Sequence, residues 1–171
     1  MKIYTLHVEQ IVPQPLDEVF SFFSRPENLT EITPASMGFV IITPSPIEMK
    51  SGALISYTIR LLFTRVRWTS LITLYEPPHK FVDEQLRGPY SFWHHTHTFS
   101  KTAEGTLIVD DVRYALPLSF FGRAVHRLFV RRQLKRIFSC RSERICEIFD
   151  LERNNRLVTD VDKINFGEAE L

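Results

Sequence analysis

The chain has 171 residues, enough for one domain around one core, and 44% of them are hydrophobic. With 21 Lys and Arg against 20 Asp and Glu, the net charge is +1, without the basic excess of a dedicated nucleic-acid binder. No apolar run approaches the roughly 20 residues of a membrane span, and the polar start Met1-Lys2-Ile3-Tyr4-Thr5-Leu6-His7 does not read as a signal peptide, so the expected location is cytoplasmic.

Ile3 to Ile11 mixes β-branched and polar residues and predicts a strand that Pro13 and Pro15 end. Leu16 to Phe23 predicts a helix: Val19, Phe20 and Phe23 share helical spacing, and Asp17 and Glu18 suit its positive end. A second short helix is expected from Pro26 to Ile32. Strands follow at Gly38–Thr43, Ala53–Phe63, Arg65–Tyr75, Lys80–Arg87, Phe92–Ser100 and Thr106–Leu116, with turns at Gly88-Pro89-Tyr90 and Lys101–Gly105. After Pro117 the period changes. Leu134, Phe138, Arg141, Ile145 and Ile148 recur at three and four, which predicts one long helix over about Gly122 to Leu151. Residues 1–152 are expected to form a single domain. Residues 153–171 read as a polar tail, frayed or disordered.

The fold class is therefore α+β, a curved antiparallel sheet wrapped around a long C-terminal helix, with two short helices after the first strand. An up-and-down barrel has no place for those two helices. Cys140 and Cys146, six residues apart on the predicted helix, are about 9 Å apart along its axis and read as reduced thiols.

Taking Gly88-Pro89-Tyr90 as a hairpin loop sets Asp83 opposite His95 and Phe81 opposite His97. One face then carries Phe81, Asp83, Gln85, Trp93, His95, His97 and Phe99, and parity adds Ile108, Asp110, Val112 and Tyr114 from the next strand. Tyr57, Ile59, Trp68, Ser70 and Ile72 continue it. The opposite face, with Glu84, His94, Thr96, Thr98, Asp111 and Arg113, reads as solvated. The inner face is aromatic, yet it carries Asp83, Gln85, His95, His97 and Asp110. Each buried polar group costs a few kcal/mol unless it is bonded, so these five mark the candidate site.

Phe81-Val82-Asp83-Glu84-Gln85-Leu86-Arg87-Gly88-Pro89-Tyr90, followed by Trp93, His95, His97 and Phe99, resembles the START/Bet v1-like (SRPBCC) superfamily. The resemblance is narrower to its bacterial ligand-binding or cyclase/dehydrase-like branch. Gly105-Thr106, Asp110, Val112, Tyr114, Pro117, Ile137-Phe138 and Arg141 extend it, as do the first helix and Pro26, Asn28, Leu29 and Thr33-Pro34. It covers most of residues 3 to 150. It implies a helix-grip fold and a cavity that takes a lipid-, steroid- or polyketide-like ligand. Carriers, hormone receptors, aromatase/cyclases and lyases share the superfamily, so no reaction is implied.

Asp83, His95 and Asp110 are the candidate acid/base group, with a carboxylate fixing the imidazole tautomer. The same three can equally form a buried network that sets strand register. Two carboxylates beside one imidazole predict that His95 titrates above its ordinary value. Trp68, Gln85, Trp93, His97, Phe99, Tyr114 and Arg141 are the candidate ligand-binding residues. His95-x-His97 with Asp83 or Asp110 could complete a zinc site, but the third ligand is unsettled and the reading assigns no metal and no cofactor.

Arg123, Arg127, Arg131 and Lys135 form a basic stripe on the long helix, read mainly as solvated and otherwise as a contact for an acidic partner. It lacks the exposed Trp of a membrane-surface helix, which argues against peripheral membrane contact. The leading function is binding of a small hydrophobic ligand by a monomer or homodimer. The alternatives are a cyclase/dehydrase-like enzyme using His95, and an interaction module using the basic helix.

Overall fold

The computed structural model describes residues 2–61, 64–117, 129–149 and 164–169. β1 (Ile3–Val12) alternates, burying Leu6, Val8 and Val12 and turning His7 and Glu9 outward. α1 (Leu16–Phe23) buries Val19, Phe20 and Phe23 and has Asp17 and Glu18 in its first turn. The expected second helix is a 3-10 turn, Pro26–Asn28, that runs into the single turn of α2 (Leu29–Ile32). Then come β2 (Val40–Ile41), β3 (Leu54–Leu61), β4 (Thr64–Glu76), β5 (Lys80–Arg87), β6 (Phe92–Thr102) and β7 (Gly105–Ala115). The long helix α3 spans Arg131–Ile148. The start near Gly122 and the end near Leu151 expected for it lie outside the described residues.

The tail differs from expectation. Asn165–Ala169 is not frayed but forms β8, antiparallel to β1, with Phe166 opposite Leu6. Its polar sequence hides a physical incentive: without β8, β1 would be an open edge with unpaired N–H and C=O groups. Phe166 packs on the core, and the Arg131 guanidinium lies 4.9 Å from its ring centre.

The sheet order is β2-β3-β4-β5-β6-β7-β1-β8, antiparallel throughout. Register shifts between β4 and β5, at Thr69/Ser70 and Ile72/Leu74, add bend to the sheet. The β6–β7 turn needs glycine at 105, where φ is +132° and a Cβ would lie 2.2 Å from the Val12 carbonyl oxygen. α3 lays Leu134, Phe138, Arg141 and Ile145 inward. Among the described residues no helix is long and apolar enough to cross a membrane.

The core divides in two. One cluster holds Leu6, Trp68, Trp93, Val112, Tyr114 and Phe138; the other holds Val19, Phe20, Phe23, Phe81, Phe99 and Ile145. The solvated face carries the Glu84–His94 pair at 3.0 Å and the His7–Asp111 pair at 2.6 Å. Val82, on that face, is buried between its cross-strand partners Leu74 and Thr96. Cys140 and Cys146 form no disulfide.

Candidate functional site

The β5–β6 hairpin has the register expected from its loop: Asp83 faces His95 and Phe81 faces His97. On β7, Asp110 lies directly opposite His97, and Val112 opposite His95, so Asp110 is diagonal to His95. Side chains of one parity share a face, which brings two carboxylates and two imidazoles together at the middle of the sheet. Arg141 of α3 comes down onto them.

The contacts are dense. His95 Nε2 lies 3.0 Å from Asp110 Oδ1, and His97 Nδ1 lies 2.8 Å from the same oxygen. Arg141 Nη2 reaches it at 3.4 Å. On the other side, Asp83 Oδ2 lies 3.4 Å from His95 Nδ1 and 3.2 Å from His97 Nε2. Ser70 Oγ donates to Asp83 Oδ1 at 3.3 Å and accepts from Trp68 Nε1 at 3.1 Å. The cluster bridges the two halves of the core: the His97 ring stacks on Phe81 at 4.1 Å, and the His95 ring meets Phe138 edge-on at 5.8 Å.

Burial decides the electrostatics. His95 and Asp110 are 6% and 5% exposed. For Asp110, burial pushes the carboxyl up, but the Arg141 charge and the two imidazoles outweigh it and hold the group well below the usual carboxylate range. Asp83 behaves likewise: burial opposes ionisation, and the bond and charge of His97 with the charge of His95 prevail, so its value is lowered. The expectation of a raised value for His95 is corrected. Burial, then the charge of His97, pulls it below the ordinary imidazole value, and the Asp110 bond does not restore it. An imidazolium at this depth loses more hydration than two carboxylates, each shared with other donors, give back.

Beside the cluster, between sheet and α3, lies a cavity of about 190 Å³. Of the candidate residues, Asp83, His95, His97, Trp68, Trp93 and Arg141 line it. The other four take other places. Asp110 stands behind the imidazoles. Gln85 closes the hairpin, with Nε2 donating to the Tyr90 carbonyl at 2.7 Å and Oε1 accepting from Tyr90 N–H at 3.3 Å. Phe99 packs between Phe20 and Phe23, 5.3 and 5.2 Å between ring centres. Tyr114 is fully buried against Tyr4 and Trp93. The wall also uses Met37, Phe39, Met49 and Tyr57, which the sequence reading did not assign to ligand contact. Loop residues such as Phe39 and Met49 carry no periodic signal that would have flagged them. Burial also pushes the Tyr57 and Tyr90 hydroxyls up, beyond any physiological titration.

No family model and no curated protein matches the sequence. Solved structures do match in shape. TTHA0849 from Thermus thermophilus superposes with a TM-score of 0.65 at 16% identity, over 84% of this chain and 98% of that one. A norcoclaurine synthase point mutant from Thalictrum, in complex with a transition-state analogue, gives 0.62 at 14% identity, over 87% and 96%. Ara h 8.0201 gives 0.59 at 14% identity, over 85% and 99%. The curved sheet, the short helices after β1 and the long C-terminal helix are common ground, and the chain has the helix-grip fold of the Bet v1-like, or SRPBCC, superfamily.

Proposed function

We propose that the chain binds a small, mostly apolar molecule of lipid-, steroid- or polyketide-like character in the cavity between the sheet and α3. The observation that carries this is the cavity itself. Its volume of about 190 Å³ exceeds the roughly 150 Å³ that lets an apolar protein void take up benzene. Its wall is mainly apolar, with polar side chains confined to a few positions, as ligand pockets require. Trp68 and Trp93 supply apolar wall in this reading, and Asp83, His95, His97 and Arg141 orient the polar atoms of the ligand. A cytoplasmic location with reduced thiols belongs to the same reading.

The test is native mass spectrometry of the protein purified from its own host. The expected result is one small molecule per chain, released by organic solvent. A bare chain that also fails to bind a panel of one- to three-ring apolar probes would overturn the reading.

A second reading, a cyclase/dehydrase-like enzyme, is favoured by one feature. Burial keeps His95 neutral near pH 7, the form in which an imidazole accepts a proton, and Asp110 fixes its tautomer. Product formation from a polyketide-like substrate, lost in His95→Gln, would support it.

A further inference from the structure

We propose that Asp83, His95 and His97 bind a divalent transition-metal ion of the zinc type at the wall of the cavity, with Asp110 as the carboxylate that orients both imidazoles. The inference starts from proton accounting. An ionised carboxylate only accepts hydrogen bonds, so both nitrogens on Asp110 Oδ1, His95 Nε2 and His97 Nδ1, carry hydrogen. In neutral rings this leaves His95 Nδ1 and His97 Nε2 with lone pairs. Those are the two nitrogens that face Asp83 Oδ2, at 3.4 and 3.2 Å. Three electron-rich atoms thus converge with no hydrogen between them, an arrangement that only a cation makes favourable.

The distances suit one. Ligands about 2.0–2.1 Å from a tetrahedral zinc stand about 3.3–3.4 Å from each other, close to both values seen here. All three ligand atoms lie within 4.8 Å of one another. The arrangement around them also fits: a carboxylate that accepts the second ring N–H fixes the tautomer and raises the basicity of a ligating histidine. Here a single carboxylate does this for both rings. Ser70 holds the other oxygen of Asp83 at 3.3 Å.

The charge count points the same way. Asp83 and Asp110 against Arg141 leave the cluster at −1 with neutral imidazoles. Arg141 sits at Asp110 and the Nδ1 side of His97, not at Nε2. Asp83, His95 and His97 line the cavity and Asp110 does not, so the fourth coordination position opens where a ligand would sit. A divalent ion would turn the cluster to +1, a charge that an anionic oxygen of that ligand balances.

The experiment titrates the chelator-treated full chain with Zn²⁺ and with Co²⁺. We expect one equivalent to bind, with the visible absorption of four-coordinate Co²⁺. In the unmutated protein, ¹⁵N NMR of the histidine rings should show zinc on Nδ1 of His95 and Nε2 of His97, with hydrogen kept on the other two nitrogens. Asp83→Asn and His97→Gln should each lower affinity at least 100-fold, and Asp110→Asn about 10- to 100-fold. His94→Gln, on the solvated face, should change nothing. The proposal is overturned by absence of saturable binding, by zinc shifts confined to His7 or His94, or by an apo state in which a proton bridges Asp83 and His97 and metal does not displace it. The ring NMR decides even where a variant fails to fold. Apolar-probe binding by metal-free protein would leave the function proposed above standing if this site fails.

Discussion

Replacing Asp110 by Asn keeps the shape of the side chain and removes its charge, in chelator-treated protein. Arg141, 8% exposed, would then stand buried without its counter-charge. Removing one partner of a buried pair costs about 3–5 kcal/mol, whereas an exposed pair such as Lys50–Glu48 contributes less than about 1 kcal/mol. Arg141 keeps only its contacts with the Phe23 and Phe138 rings, 4.9 and 5.8 Å away, and these recover a minor part. The expected loss is therefore about 3–4 kcal/mol in urea unfolding at neutral pH, a fall in Tm of roughly 6–16 °C for a chain of this size. Because the cost comes from an orphaned charge, the double variant Asp110→Leu with Arg141→Leu should recover most of it. A single-variant loss below about 1 kcal/mol would refute the buried ion pair. A double variant less stable than the single one would refute the orphaned-charge explanation.

Three further predictions concern other parts of the fold. Trp93→Ala should cost roughly 3–5 kcal/mol by denaturant unfolding, because the ring packs against Trp68, Tyr90 and Tyr114 as well as lining the cavity; a loss under about 1 kcal/mol would mean it only lines a void. Gly105→Ala should destabilise by more than about 1 kcal/mol in the same assay, since φ of +132° and the Val12 carbonyl both exclude a Cβ. His7, held above its ordinary value chiefly by the Asp111 hydrogen bond, stabilises the fold below its unfolded value near 6.5, and that contribution fades as pH rises through its folded value. NMR titration should show the His7 value fall in Asp111→Asn, and an unchanged value would exclude that bond as its cause.

What the sequence made legible follows from period and turn chemistry. Gly88-Pro89-Tyr90 pinned the β5–β6 register, and strand parity then carried Trp93, His95, Val112 and Tyr114 to one face. The switch to a period of 3.6 located α3, including the inward Arg141. Other features depended on forces that no local pattern encodes. Asp110 stands directly opposite His97, because the β6–β7 register depends on the turn at Gly105. Gln85 shares the inner parity yet bonds to the backbone of Tyr90, a choice set by turn geometry. The titration of His95 is a balance of burial against charge, and sequence supplies the charges without the burial. β8 has weak strand character of its own and owes its pairing to the edge that β1 presents.

The cavity is tested most directly by methyl NMR of the protein titrated with a naphthalene-sized apolar probe. The account predicts saturable shifts at the cavity-wall methyls of Met37, Met49, Ile55, Leu134 and Ile137, with the exposed Val40, Leu54 and Leu86 unmoved. Shifts confined to those three exposed residues, or none at all, would contradict it.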